Sequence, residues 1–492
     1  MEKIKRSIFF WSLVLLFFIV TPTVILQARG YRFDFHRGIF VHSGTITLKA
    51  NPQNPEIFID NSLEKSNLNR MNNTLNVGGL IPGNYGVKLA QDGFQTWEKK
   101  TDVHSGLANE FWNVLLVRNN YEQKNYNAAS IDKFFISPKN KFIAYTVPAD
   151  SATGVNILNI NNSQITNNFS FSNASFSQVE RKENIEWSPE EDYLSIPLKI
   201  TSVSKTTKKS ESRFFYFIAD IANKTTLNLN ELLKKDDIRN VRWDPQQKDF
   251  LFFLSENSLF RANIMDAGNL VLIAQDVSSY DLSRTGIYYA QQSNELVFKT
   301  SLDGQAEKMQ LTDSFPGDIK NPNEKLIVYD EKRIVFLSSD KSLYIYNNGD
   351  QKLYFRKLAD SIEGMQFSDD GKKLLYWTNN ELSVYFLTNW DVQPTRSEDE
   401  VNTVTRFMSK IENVQWFKDY EHIIFNVGPQ IKIVELDPRD HYVFMDIVKT
   451  ASDGFIATYD NSLELLFFVD KKGEQTDLYS IIFPEKTTLF GF

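Results

Sequence analysis

At 492 residues the chain is too long for one ordinary hydrophobic core, so two or more domains are expected. A net charge of −8 argues against a nucleic-acid-binding protein, because phosphate recognition needs clustered Lys and Arg. The lack of any Cys excludes disulfides, thiolate metal sites and Cys nucleophiles, and 39 Phe, 20 Tyr and 8 Trp favour pleated sheet.

Lys3, Lys5 and Arg6 precede Ile8–Leu26, nineteen residues without a charge. As a helix that run would be roughly 28 Å long, about the thickness of a bilayer's hydrocarbon core. A cleaved signal peptide has a shorter apolar region, about 7–15 residues, ending at small residues. Here Leu26 stands where a small residue would be needed ahead of Ala28. Residues 1–42 are therefore predicted to form a short cytoplasmic tail, an uncleaved transmembrane anchor at 8–26 and a linker. Pro22 falls in the last turns of the anchor, where it costs least. Arg29, Arg32 and Arg37 follow the span. Long domains translocate largely regardless of such flanking charge, so the N-terminus is placed inside and the bulk outside.

From Ser43 the pattern changes to short alternating segments. Thr45–Ala50 puts Ile46, Leu48 and Ala50 on one face, the period-2 mark of a strand. Pro55–Asp60 reads as a second strand with Pro at its entry. Ile81-Pro82-Gly83-Asn84 predicts a type II turn with Gly83 at positive φ. Tyr85, Val87 and Leu89 alternate into Asp92-Gly93, a tight-hairpin signal; Trp97 follows, and Phe111–Val117 reads as a closing strand. Three pieces, Pro55-Glu56-Ile57-Phe58-Ile59-Asp60, Leu80-Ile81-Pro82-Gly83-Asn84-Tyr85 and Asp92-Gly93-Phe94-Gln95-Thr96-Trp97, fall in order at spacings that resemble a PEGA domain. Ile57 and Phe58 depart from the name-giving Pro-Glu-Gly-Ala. The resemblance covers residues 43–118 and implies a small β-sandwich with an envelope-associated binding or spacer role and no catalytic residues.

Residues 129–492 repeat a theme of an apolar or aromatic residue, a polar turn and an apolar strand. It opens as Phe135-Ile136-Ser137-Pro138, Ile185-Glu186-Trp187-Ser188-Pro189, Val241-Arg242-Trp243-Asp244-Pro245, Tyr280-Asp281-Leu282-Ser283, Met365-Gln366-Phe367-Ser368-Asp369-Asp370-Gly371 and Val414-Gln415-Trp416. Each opening leads into a run such as Phe250-Leu251-Phe252-Phe253. Ser or Asp in the turn is expected to accept a backbone hydrogen bond from two or three residues on. Unit spacings of about 40–55 residues match four-stranded propeller blades, which predicts seven or eight of them, the last near Gly454–Phe483. The block resembles WD40-like and TolB-type propellers through Ile136-Ser137-Pro138, Trp187-Ser188-Pro189 and Phe367–Gly371, but lacks regular Gly-His and Trp-Asp pairs. The predicted fold class is thus all-β: a transmembrane helix, a PEGA-like β-sandwich, then a seven- or eight-bladed β-propeller.

Catalysis finds little support. His36, His42, His104, His422 and His441 form no HExxH and are each read as surface or loop residues. No G-x-S-x-G elbow, P-loop or dinucleotide-binding Gly pattern occurs. Ser368–Gly371 reads as a plain turn rather than a sialidase-type Asp box, and Ser397-Glu398-Asp399-Glu400 as a solvated run. No catalytic, cofactor-binding or metal-ligating residue is assigned. Two insertions remain as candidate partner-binding loops: Thr201–Arg213 with Lys205, Lys208 and Lys209, and the acidic Thr388–Thr403 with Trp390 and Pro394. The expectation is a non-enzymatic binding or scaffold protein of the cell envelope, held in the membrane by one span and contacting an envelope protein or a wall polymer. The rival is a glycan-acting enzyme with paired carboxylates in the propeller channel, at the separation of about 5–10 Å that glycosidases use.

Overall fold

The computed structural model describes residues 2–64, 67–69, 74–148, 152–176, 185–203, 210–313, 315, 325–349 and 353–484. An α-helix spans Glu2–Ala28, overrunning the predicted 8–26 at both ends. It is the one helix among the described residues long and apolar enough to cross a membrane, and most of its apolar side chains are exposed. Ser12 Oγ and Thr23 Oγ1 donate back to the carbonyls of Phe9 and Ile19, so neither hydroxyl needs an outside partner. The expected linker then forms a hairpin, Tyr31–Asp34 against Ile39–His42.

Two four-stranded sheets follow. One orders Ala108–Leu115, Gly44–Asn51, Thr74–Leu80 and Asn67–Asn69; the other orders Ser62–Glu64, Glu56–Ile59, Gly83–Ala90 and Trp97–Val103. Their inner faces bury Ile46, Leu48, Val87 and Leu89, which the alternation points inward, together with Ile57, Ile59, Leu75 and Val77. The turn at Ile81–Asn84 differs from expectation. Gly83 is not at positive φ but pairs with Val103, while Gly79 takes the left-handed conformation at φ +78°. Gly93 does lie at φ +79°, but Leu89 already pairs with Trp97, so residues 90–96 form a wider connection than a tight hairpin.

The rest of the chain is a β-propeller, with eight sheets among the described residues, where seven or eight blades were expected. Blade 1 is Phe134–Ile136, Phe142–Pro148, Ala152–Asn159 and Ile165–Ser172, and the next six follow in chain order. In blade 2 both Ala174–Phe176 and Glu186–Trp187 pair with Tyr193–Val203, making five strands. Blade 5 opens at Lys325–Asp330, where Asp330 accepts from Lys332 N and Arg333 N, both at 2.9 Å. Blade 8 takes three strands from the C-terminal end, Ala457–Asp460, Leu465–Lys472 and Gln475–Ile482. Its fourth strand is Lys124–Asn125, ahead of residue 129, pairing with Tyr479 and Ser480. Tyr126 extends that closure: its backbone N–H donates to Leu478 O at 3.0 Å, and its hydroxyl lies 3.1 Å from Ser480 Oγ.

Hydrophobic cores sit between blades rather than within them. Leu251 and Phe253 pack toward blade 2 with Tyr216 and Ile218, while Phe252 and Leu254 pack toward blade 4 with Tyr280 and Tyr289. A strand buried on both faces favours a continuous apolar run, as in Phe250-Leu251-Phe252-Phe253-Leu254. One such core fills every gap around the circle, from Phe142 with Trp187 between blades 1 and 2 to Phe467 with Phe134 between blades 8 and 1.

The theme residues explain themselves. Trp187, Trp243 and Trp416 end the innermost strands of their blades, and each indole N–H donates to a carbonyl on the innermost strand of the preceding blade. The acceptors are Phe135 at 3.0 Å, Glu186 at 3.1 Å and Gln366 at 3.1 Å. The turn seryl oxygens reach further than expected: Ser137, Ser188 and Ser368 accept from the backbone five residues on, at Phe142, Tyr193 and Lys373. Asp244, by contrast, accepts from Gln246 and Gln247, the predicted two and three residues on.

Candidate functional site

Two places gather charged side chains: a seam where the sandwich meets blade 7, and the central channel. The seam grows from an alternation. In Trp97–Val103 the buried positions are Trp97, Lys99, Thr101 and Val103, so a lysine occupies an inward site on an edge strand. Its ammonium is fully buried, and a buried charge needs a complete set of partners. The loop after blade-7 strand Gln430–Glu435 supplies them. Lys99 Nζ donates to the carbonyls of Asp437, Arg439 and His441 at 2.6, 3.0 and 2.7 Å, which uses its three N–H bonds. Glu435 Oε1 lies 2.5 Å away as an ion pair with no N–H left to share, and Trp97 Nε1 donates to Glu435 Oε2 at 2.9 Å.

Further contacts widen the joint. Arg439 chelates Asp437, stacks 4.0 Å over Phe111 and donates to Glu110 O at 2.7 Å. Gln95 and Asp446 exchange two hydrogen bonds, amide to backbone. Gln393, in the Thr388–Thr403 insertion of blade 6, accepts from Glu110 N at 3.0 Å and donates to Ala108 O at 3.0 Å. That insertion docks the chain's own sandwich, where the sequence suggested a loop free for partners.

Beneath the joint lies a second buried group. His422 opens a blade-7 strand and is buried, which corrects its reading as a surface or loop residue. Its Nδ1 lies 2.8 Å from Asp419 Oδ2. Burial opposes the imidazolium, but the Asp419 carboxylate outweighs it and holds the His422 pKa above the ordinary value. Lys373, also buried, pairs with Glu421 and donates to Tyr420 O at 2.7 Å. Burial raises the pKa of Glu421 and of Glu435, against the pull of Lys373 and Lys99. The cleft here, lined by Trp97, Trp390, His422 and Glu435, holds about 40 Å³, room for a water or two and not for a substrate.

The channel is larger, about 990 Å³, and is walled by the first strands of the blades, with Lys133, Glu186, Lys325, Glu363 and Asp460 on it. Arg242 bridges two carboxylates there, Nε to Glu186 at 3.0 Å and Nη1 to Asp281 at 3.2 Å. Asp281 Oδ2 also accepts from Val328 N at 2.8 Å, so blades 2 to 5 are linked across the channel wall. Protein surrounds Arg242 and Glu186, yet channel solvent reaches them and leaves 42% and 30% of the two side chains exposed. Burial raises the Glu186 pKa and Arg242 opposes it, while channel water screens both effects. No cluster of three or more His, Asp or Glu suited to a metal occurs among the described residues.

Other sites singled out in the sequence lie apart from both places. Ser368–Gly371 is a turn, with Gly371 at φ +66°, and Tyr329 of blade 5 and Tyr420 of blade 7 donate to Asp369. The insertion Thr201–Arg213 prolongs a hairpin through the pair Val203–Ser210; Lys205, Lys208 and Lys209 lie outside the described residues.

No family model matches the chain, and no curated protein matches it. Among solved structures, Hsv2 of Kluyveromyces lactis is similar at 12% identity and TM-score 0.41, covering 65% of this chain and 98% of its own. Sqt1 of Saccharomyces cerevisiae is similar at 11% identity and TM-score 0.43, covering 73% and 98%. The uncharacterized protein lmo1340 of Listeria monocytogenes follows at 11% and 0.35, covering 64% and 93%. Likeness at this level adds nothing to the fold read from the sheets themselves.

Proposed function

We propose that the chain is a membrane-anchored, non-enzymatic scaffold of the cell envelope. Its N-terminal helix crosses the membrane with a short tail inside, and its PEGA-like sandwich holds the propeller at a fixed attitude outside. The propeller's rim loops then engage an envelope protein or a wall polymer. The observation that carries this reading is the seam: a fully buried Lys99 caged by three blade-7 carbonyls joins the two modules rigidly. A rigid presenting arm loses less ordering entropy on binding than a flexible one. The test is photo-crosslinking in native membranes from the full chain, with the reactive group placed at Thr201 on the blade-2 hairpin. One recurring envelope protein or wall polymer in the adduct is expected; no adduct from any rim position would contradict the scaffold.

A glycan-acting enzyme is the alternative, and the raised pKa of Glu186 is the feature that favours it, since a general acid needs one. Glu186 and Asp281 are both held by Arg242, which supports a structural role for that pair instead. Release of sugars from wall polymer by the purified chain, abolished by Glu186→Gln, would favour the enzyme.

A further inference from the structure

The hairpin between the helix and the sandwich belongs to neither core. Its register sets Tyr31 opposite His42 and Phe33 opposite Phe40 on one face, with Arg32 and Asp34 on the other. The second face is occupied. Arg32 lies against Gly79, where an added Cβ would come within 3.1 Å of the guanidinium, and it donates to Gln27 O at the helix end. Asp34 is buried and caps the turn, accepting from His36 N at 2.9 Å and Arg37 N at 3.2 Å.

The first face and the tip are open and apolar. Phe35 is 87% exposed, with Phe33 and Phe40 near 40%. The three rings meet edge to face at 5.1 and 5.2 Å, so they touch one another rather than the body of the protein. Around them stand the exposed Arg29 and Arg37.

The hairpin's position argues for what covers it. Only Arg29 and Gly30 separate it from Ala28, about 7 Å of chain at full stretch. Ser43 closes its base by donating twice to Gly30 O, at 2.8 Å from the backbone and 2.6 Å from the hydroxyl. With no slack at either end, the hairpin stays at the helix terminus. If the helix spans a bilayer, that terminus lies in the headgroup layer. There aromatic side chains are favoured and cations meet phosphates.

We propose that this hairpin is an interfacial foot lying on the leaflet from which the helix emerges. Phe33, Phe35 and Phe40 bury among the headgroups and acyl carbonyls, and Arg29 and Arg37 contact lipid phosphates. Because its other face is fixed to Gly79 of the sandwich, the foot sets the tilt of the sandwich, and of the propeller locked to it, against the membrane. The inference rests on the anchoring reading, and the experiment separates the two.

The chain has no Cys, so single nitroxide labels can be placed without background. Full-length protein in phosphatidylglycerol/phosphatidylethanolamine nanodiscs would carry the label at His36→Cys in the hairpin turn, Leu16→Cys in mid-helix or Met408→Cys on the exposed propeller surface. Collision rates with oxygen and with a water-soluble nickel chelate report depth. The His36 label is expected to favour oxygen, at headgroup depth, and Met408 to favour nickel. Phe33→Ser/Phe35→Ser/Phe40→Ser should move the His36 label to the Met408 value while Leu16 stays in the acyl core. An unchanged unfolding transition in the triple variant would show that the fold survives. A His36 label as nickel-accessible as Met408, with Leu16 still buried, overturns the foot and spares the anchor. A Leu16 label in water overturns the anchor and the foot together. A His36 label shielded from both reagents means protein covers the hairpin, and the lipid assignment fails.

Discussion

The seam and the channel both hold Lys, Arg, Asp and Glu, but they treat charge in opposite ways. In the seam the central charge is dry and caged by the other module: buried Lys99 Nζ has three blade-7 carbonyls and a carboxylate. In the channel Arg242 pairs with Glu186 and Asp281 while solvent still reaches the Arg242 and Glu186 side chains. Burying a charge is costly and is sustained only by complete partnering, so the first arrangement reads as a joint. The second leaves a charged, hydrated wall available to whatever enters.

The sharpest way to break that contrast is Lys99→Ala. It strands Glu435 without its counter-ion, and a loss of about 3–5 kcal/mol is expected in chemical denaturation, with the sandwich released first. A loss under about 1 kcal/mol would mean the seam is as soft as the channel. Next in size, Trp187→Phe leaves Phe135 O without its indole donor between blades 1 and 2 and should cost about 1–3 kcal/mol. Gln393→Ala removes its two hydrogen bonds to the sandwich and a third accepted from Arg439, about 1–2 kcal/mol, and should speed proteolysis between sandwich and propeller. In the channel, Arg242→Gln should change stability by about 1 kcal/mol or less, and less still at high salt.

A pH series sharpens the picture of the seam. The folded pKa of His422 is raised above its unfolded value of about 6.5. Its stabilising contribution is therefore complete below that value and lost as pH rises through the folded pKa. The denaturation midpoint should fall across that window, and His422→Gln should flatten the fall. An unchanged slope in the variant would show that His422 is not the titrating group.

Much of this architecture was legible because its cause is periodic. Ile46, Leu48, Val87 and Leu89 alternate, and the apolar runs of the second strands follow from burial on both faces. Blade 5 was hard to see because its opening Tyr329-Asp330 carries neither a Trp nor a Ser-Pro turn. The closing strand was invisible because Lys124-Asn125 is two polar residues long and acquires meaning only beside Tyr479, far away in sequence. The seam was half legible. Trp97, Lys99, Thr101 and Val103 share one face by simple alternation, so an inward lysine could have been flagged, but the three carbonyls that cage it come from a loop some 340 residues on. His422 gave no local sign, since its burial depends on packing against neighbouring elements.

The central claim, that sandwich and propeller move as one body, is tested most directly by a pulsed dipolar distance between nitroxides at Asp92→Cys in the sandwich and Met408→Cys on the propeller. A single narrow distance distribution, broadened by Lys99→Ala, is the result this account requires. A broad distribution in the chain with Lys99 intact would contradict it.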